Sequence, residues 1–324
     1  EFITKMKKKT ILVTGSEGSL AQWVIPYLLP NYNVIGIDNF FRYGDISRKR
    51  DYAFRNGDLC NQQWLDEIFS MHKPDFVLHC AAHIYGVVGL HKYCADILGA
   101  NSVSTYNILR CCVDHDVEKI AYVSSSMVYE SSSQFPLTED QVEHLPCPST
   151  GYGFSKLVGE KMVTEFYKQY KLNYTIWRPF TIVTPLECSD SEPGIAHVFA
   201  DFVQKIVLDK QVPLQILGNG EQTRTFTWIN DVAEFIALHS WQEYTNSEAY
   251  NLAGDTNVRI LDLAQMIWKQ AERKEDFVAE FQNNYSDDVI KREPSTVKAQ
   301  QLGWKHSKTI EQMVEICVGS ANDL

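Results

Sequence analysis

Five short apolar runs, closed by turn residues and separated by stretches of helical character, constrain this 324-residue chain more than any other feature. They are "TILVTG" (10–15), "NVIGID" (33–38), "DFVLHCAA" (75–82), "KIAYVSSS" (119–126) and "YTIWRPF" (174–180). Each is apolar almost throughout instead of alternating, as strands covered on both faces of a parallel sheet are. Helices are expected in the gaps, over 19–29, 61–71, 98–114 and 152–171. The alternation predicts a doubly wound α/β sheet.

Beyond Pro179 the pattern changes. "CSDSEPG" (188–194) reads as a loop, 198–210 as one helix, "LQILGNGEQTRTFTWIND" (214–231) as a pair of short strands about a Gly-Asn-Gly turn, and 260–273 as a further helix. The expectation is a first domain over 6–180, to which a segment around 225–255 returns, and a smaller mixed α/β lobe over 181–324 that binds substrate. There is no internal repeat.

Several classes of function are disfavoured. No run of about 18 apolar residues is present, so no membrane span is expected. "EFITKMKKK" has lysines but no apolar core of signal-peptide length, and Glu1–Lys5, ahead of Met6, read as a remnant of expression; a cytoplasmic location is expected. With a formal net charge of −11 and basic tracts only at 7–9 and 48–50, nucleic acid is a poor partner. The eight cysteines have neither CxxC nor zinc-like spacing and read as reduced thiols. His79 and His83 are four apart, but their run reads as a strand and a small-residue turn, so no metal site is expected.

"ILVTGSEGSLAQWV" (11–24) passes from strand to helix through Gly15 and Gly18. Such a loop can direct backbone N–H groups and the positive end of a helix dipole at a pyrophosphate; it can equally be a turn softened by glycine. The third position of the pattern serves helix-to-strand packing, and Ala21 is acceptable there. Twenty residues past Gly18, Asp38 closes the second run, where a carboxylate accepts hydrogen bonds from an adenosine ribose and repels the extra phosphate of NADP. That favours NAD, although Arg42 keeps NADP open. Asp58 can reach an adenine amino group or be a solvated turn aspartate.

Downstream, "SSSMVYE" (124–130) ends the fourth run and "YGFSK" (152–156) opens the next helix, which puts Tyr152 and Lys156 on one helical face. A phenol of pKa roughly 10 needs a neighbouring ammonium, together with the charge of an oxidised nicotinamide, to act as a base near neutrality. Ser125 could then hold a reacting hydroxyl while Tyr152 takes its proton. Taken alone, a Tyr/Lys pair at this spacing is also an ordinary surface feature.

Together, Gly15-x-x-Gly18, Asp38, "GDL" (57–59), "HCAA" (79–82), Asn101, "SSSMVY", Tyr152-x-x-x-Lys156 and "RPF" (178–180) resemble the extended short-chain dehydrogenase/reductase family, and within it the nucleotide-sugar epimerases and dehydratases. "LGNGEQTRTFTWINDVAEFI" (217–236), "YNLAGD" (250–255) and "KREPSTVKAQQLGW" (291–304) extend the resemblance over nearly the whole chain. It implies a Rossmann fold in which the glycine loop does bind a dinucleotide. For the cofactor it implies Gly15, Gly18, Ser19, Leu20, Asp38 and Asn39 at the adenosine and pyrophosphate. It implies Asp58, Leu59, Ala81, Ala82, Asn101, Ser124, Tyr152, Lys156 and Pro179 as further cofactor-binding residues. It implies that Arg224 and Arg292 grip a nucleotide diphosphate, for which planar guanidinium forks are suited, though either could be a surface ion pair. It also implies a homodimer through the helices at 98–114 and 152–171.

The residues after the catalytic serine separate the subfamilies. Members resembling dTDP-glucose 4,6-dehydratase carry Asp then Glu there, and UDP-glucuronate decarboxylases carry Glu at the second place. Here Ser126 and Met127 occupy the two positions, and a thioether exchanges no proton, which disfavours both reactions. GDP-mannose 3,5-epimerase and GDP-fucose synthase carry Cys where Met127 stands, yet 81–101 resembles theirs, and His197 falls near their second acid or histidine. His197 could also be structural; His83 and Tyr85 could face a sugar. The expectation is an NAD-dependent nucleotide-sugar 4-epimerase using Ser125, Tyr152 and Lys156, with His83, Ser126, Met127, His197, Arg224 and Arg292 facing substrate. The alternatives are a reductase or 3,5-epimerase of 4-keto-6-deoxy sugars, and a non-catalytic dinucleotide sensor.

Overall fold

The computed structural model describes residues 8–45, 49–185, 187, 195–283, 285 and 291–323. The expected loop at 188–194 lies outside them. Strands β1 (Thr10–Thr14), β2 (Asn33–Asp38), β3 (Ala53–Asn56), β4 (Phe76–His79), β5 (Lys119–Val123) and β6 (Asn173–Pro179) form most of one sheet. Beyond them come β7 (Ile182–Val183), β8 (Leu214–Leu217), β9 (Thr223–Thr225), β10 (Thr227–Trp228), β11 (Glu248–Leu252), β12 (Asn257–Arg259) and β13 (Ala279–Gln282). The main sheet has seven strands in the order β11-β6-β5-β4-β1-β2-β3, and all of its pairs are parallel. Chain order reverses between β1 and β4, the crevice where such sheets bind ligands beyond their carboxyl ends.

Helices cover both faces, as the continuous apolar strands require. The α-helices are α1 (Ser19–Leu28), α2 (Gln62–His72), α3 (Val87–Lys92), α4 (Cys94–Asp114), α5 (Gly151–Tyr170), α6 (Val198–Val203), α7 (Ile229–His239), α8 (Ile260–Gln270), α9 (Val297–Gln300) and α10 (Ile310–Asn322). Helix α1 buries Ala21, Val24, Ile25 and Leu28, a stripe at i, i+3, i+4 and i+7, in one core with Val232, Ala233 and Ile236 of α7. Opposite it, α2, α4 and α5 close a second core around Leu12, Val77 and Ile120. A third core lies away from the sheet, where α6, α8 and α10 pack on β8 and β10 through Phe199, Phe202, Leu263, Ile267, Met313 and Val314. Trp23 meets Trp228 edge-on at 6.0 Å between the first and third cores.

Four local readings are corrected. Strand β3 was not among the expected runs: "AFRN" is an edge strand, exposed or half-buried throughout, so it lacks the apolar signature of its neighbours. Helix α4 starts at Cys94, earlier than expected, with the short α3 just before it. The expected helix 198–210 is α-helical only to Val203 and continues as a π-helical turn over Gln204–Leu208. The strands flanking the Gly-Asn-Gly turn do not pair with each other: β8 lies parallel to β13, and β9 antiparallel to β12.

Candidate active site

Beyond the carboxyl ends of β1, β4 and β5 lies one continuous cavity of about 400 Å³, lined from Gly15 and Asp38 at one end to Arg224 and Arg292 at the other. Gly15 follows β1 with φ +66°, and a Cβ there would stand 2.8 Å from both N and Cα of Ala81. Only glycine lets the two loops approach so closely. Gly18 N donates to Gly15 O at 3.0 Å, and Gly18 caps α1 without a side-chain hydrogen bond, so the first-turn amides of Ser19 and Leu20 face the cavity uncapped by a side chain. Asp38 ends β2 and accepts from the backbone N–H of Glu17 (3.0 Å) and of Phe40 (2.7 Å). Burial raises its carboxyl above the usual range, against those hydrogen bonds.

These features fit a dinucleotide: a glycine cradle that a Cβ would fill, an open helix N-terminus and an acid at the end of the second strand. Ser124 adds to the fit, because its hydroxyl is buried on the cavity wall without a hydrogen-bond partner among the described residues.

Tyr152 and Lys156 rise from the first turns of α5, which Thr150 caps by accepting from Gly153 N at 3.1 Å. Both are buried in the cavity wall beside Ser125. Ser125 caps the 3-10 turn Ser126–Tyr129 that follows β5, accepting from Met127 N at 3.2 Å, and lines the cavity beside Tyr152. The Lys156 ammonium donates to Val123 O at 2.8 Å and sits 5.9 Å from the centre of the Tyr152 ring. Burial lowers Lys156 to about 8. Burial also drives the Tyr152 phenol well up, with Ser125 and the charge of Arg292 pulling the other way. In the chain by itself the buried ring is poorly solvated and the ammonium is directed at a carbonyl, so burial dominates the phenol.

The remaining sequence-predicted residues line the cavity, several with structural duties. Asn101 accepts from His83 N (2.7 Å) and donates to His83 O (3.2 Å) and to Ser155 Oγ (3.1 Å), tying the loop after β4 to α4 and α5. The His83 ring stacks on Phe41 at 4.0 Å. Asp58 accepts from Cys60 N and Asn39 from Phe41 N, each holding its own turn. Leu59, Ala81, Ala82, Pro179, Ser126 and Met127 are wall residues, and the Arg292 guanidinium contacts Met127 Sδ at 2.7 Å. Arg224, on β9, donates to Thr223 O. His79 is instead core: it bonds Thr14 and Thr105, and burial lowers it to about 3, so it does not pair with His83.

Three acids went unnoticed in the sequence. Glu187 accepts from both N and Nδ1 of His197 at 2.8 Å. Burial opposes the charge on each, yet the pairing prevails, raising His197 and lowering Glu187. Glu130, on the cavity wall, accepts from Thr150 N and Oγ1 and from Ser149 Oγ at the start of α5. Glu17, inside the glycine loop, is held by Arg50 and Tyr52. No spacing rule joins Glu187 to a histidine ten residues on, or Glu17 to an arginine thirty-three residues on.

The fold and site thus define a dinucleotide-binding α/β enzyme of the short-chain dehydrogenase/reductase type, with serine, tyrosine and lysine at one cavity wall. The pattern of the NAD dependent epimerase/dehydratase family matches residues 11–253, and the chain belongs to that family. It is 27% identical to a UDP-glucose 4-epimerase of Halalkalibacterium halodurans, over 94% of this chain and 93% of that one. It is 26% identical to the dTDP-D-glucose 4,6-dehydratase of Bos taurus, over 92% and 84%. The UDP-glucose 4-epimerase of Thermotoga maritima, solved with UDP-glucose, shares the fold with a TM-score of 0.84 at 24% identity, covering 97% of this chain and 99% of that one. No helix among the described residues is long and apolar enough to cross a membrane.

Proposed function

We propose that the protein epimerises a nucleotide-diphosphate sugar at carbon 4, with NAD as its resident cofactor. The observation that carries this reading is the convergence of Ser125, Tyr152 and Lys156 on a cavity whose glycine loop and Asp38 suit a dinucleotide, while Met127 stands where an eliminating enzyme needs an acid. When bound, oxidised NAD would supply a hydride acceptor and, once reduced, a hydride donor, together with a positive charge that favours the phenolate. Ser125 orients the carbon 4 hydroxyl. Tyr152 takes its proton and later gives it back, and Lys156, fixed by Val123 O, stabilises the phenolate. Arg224 and Arg292 hold the diphosphate while the keto-sugar turns. The segment 181–324 supplies the sugar-nucleotide lobe, apart from the stretch around 225–255, which returns to the first domain with α7 against α1 and β11 beside β6, and Asp38 favours NAD over NADP.

A homodimer through α4 and α5 belongs to the same proposal. These helices pack on each other and leave Val103, Tyr106 and Tyr170 exposed on their outer side.

Incubation of the NAD-loaded protein with UDP-, GDP-, dTDP- and CDP-hexoses, followed by proton NMR, should give a carbon 4 epimer without net NADH. Steady accumulation of NADH or of a 4-keto-6-deoxy product would overturn the reading. Failure to convert any of them would leave the dinucleotide-sensor reading in its place. The Glu187–His197 pair favours a second reading, 3,5-epimerisation or reduction of a 4-keto-6-deoxy sugar, since a hydrogen-bonded imidazole at the sugar end can exchange protons. Solvent deuterium entering carbon 3 or 5 distinguishes it.

A further inference from the structure

Glu17 is an odd residue for its place. It lies between Gly15 and Gly18, in a loop whose backbone amides suit an anion, and a carboxylate there opposes that use. It is nevertheless buried, at the wall of the cavity. Arg50 compensates it with two parallel hydrogen bonds of 3.0 Å, the bidentate geometry that a guanidinium and a carboxylate favour. Tyr52 donates to the same carboxylate at 2.6 Å, and burial pushes that phenol up to about 12, so it stays a donor. The guanidinium lies over Phe54, 4.4 Å from the ring centre, and faces Phe40 at 5.7 Å, with Asp45 at 3.6 Å. Glu17 is coupled to Asp38 in turn: its N–H donates to Asp38 Oδ2, and its charge helps to raise that acid.

We propose that Glu17 and Arg50 form a second discriminator against NADP, beside Asp38. The inference rests on the reading of this cavity as an NAD site with the adenosine ribose at Asp38. A 2′-hydroxyl needs only an acceptor. A 2′-phosphate brings close to two negative charges against two carboxylates, and finds the neighbouring guanidinium already neutralised by Glu17. Glu17 thus acts twice, as a repelling charge and as the group that withholds a cation.

The test is the ratio of the NADP to the NAD dissociation constant, measured by calorimetric titration of the full chain without sugar substrate. Glu17→Gln keeps the shape and removes the charge, and should lower the ratio roughly tenfold or more, the scale of one unit charge acting across several ångströms at a protein surface. Glu17→Gln combined with Arg50→Met should lose part of that gain, because the guanidinium released from Glu17 is then gone and only Arg42 on the cavity wall is left to meet the phosphate. Tyr52→Phe, which changes no charge, should leave the ratio as it is. If Glu17→Gln weakened both dinucleotides equally, Glu17 would be only a structural anchor and the proposal would fall. If the unaltered protein bound neither dinucleotide, the NAD reading itself would fail, and this inference with it.

Discussion

Gly15→Ala is the most direct test of the architecture that holds the site. The new Cβ would stand 2.8 Å from the backbone N and Cα of Ala81 and 3.2 Å from its Cβ, and the residue would have to keep φ at +66°. Holding alanine in the left-handed region costs roughly 1–2 kcal/mol. Forcing a methyl against backbone that can yield only by shifting the loop after β4 adds roughly 1–3 kcal/mol. The sum, about 2–5 kcal/mol, corresponds in a chain of this size to a fall in Tm of roughly 4–10 °C, using about 2 °C per kcal/mol. Gly18→Ala is the control: its φ is −72°, and its Cβ would meet only Gly15 O, at 3.1 Å, so a loss of about 1 kcal/mol is expected from the poorer N-cap. Urea unfolding and dinucleotide titration of both variants decide the matter. A Gly15→Ala protein as stable as the unaltered chain and with unchanged affinity, or a Gly18→Ala protein damaged more severely, would refute the close-approach argument.

Tyr152→Phe should lower kcat by roughly 10²–10⁴ with dinucleotide affinity nearly unchanged, read by steady-state kinetics and titration; retained turnover would remove Tyr152 as the proton acceptor. The Glu187–His197 pair predicts a pH-dependent stability. Burial works against the His197 charge and Glu187 outweighs it, so the folded value is raised above the ordinary roughly 6.5. The pair's contribution is full below that ordinary value, while Glu187 stays ionised, and is lost as pH rises through the raised value. Urea midpoints from about pH 6 to about pH 9 should fall for the unaltered chain more steeply than for His197→Gln; parallel curves would contradict the pairing. Arg178→Met should cost roughly 3–5 kcal/mol in urea unfolding, because it strands Glu160, which holds Arg178 at 2.7 and 2.9 Å with both side chains 5% exposed. The double change Arg178→Met with Glu160→Gln should cost less than the single one.

Short-range periodicity carried the parallel α/β core in the sequence. The continuous apolar character of β1, β2, β4, β5 and β6 reports burial on both faces, and the spacing of Tyr152 and Lys156 already puts them on one turn of α5. Gly15 and Asp38 were legible for a related reason: each ends a strand, so the chain alone sets where its backbone turns. Tertiary structure decided what depends on contacts distant in the chain. It inserted β11 beside β6, paired β8 with β13 across more than sixty residues instead of with β9, and made the edge strand β3 from a segment with too few apolar residues to announce itself. It also brought Arg50 to Glu17 and Glu187 to His197, and set the protonation preferences of Tyr152 and Lys156, because desolvation belongs to the packed interior and leaves no mark in residue order.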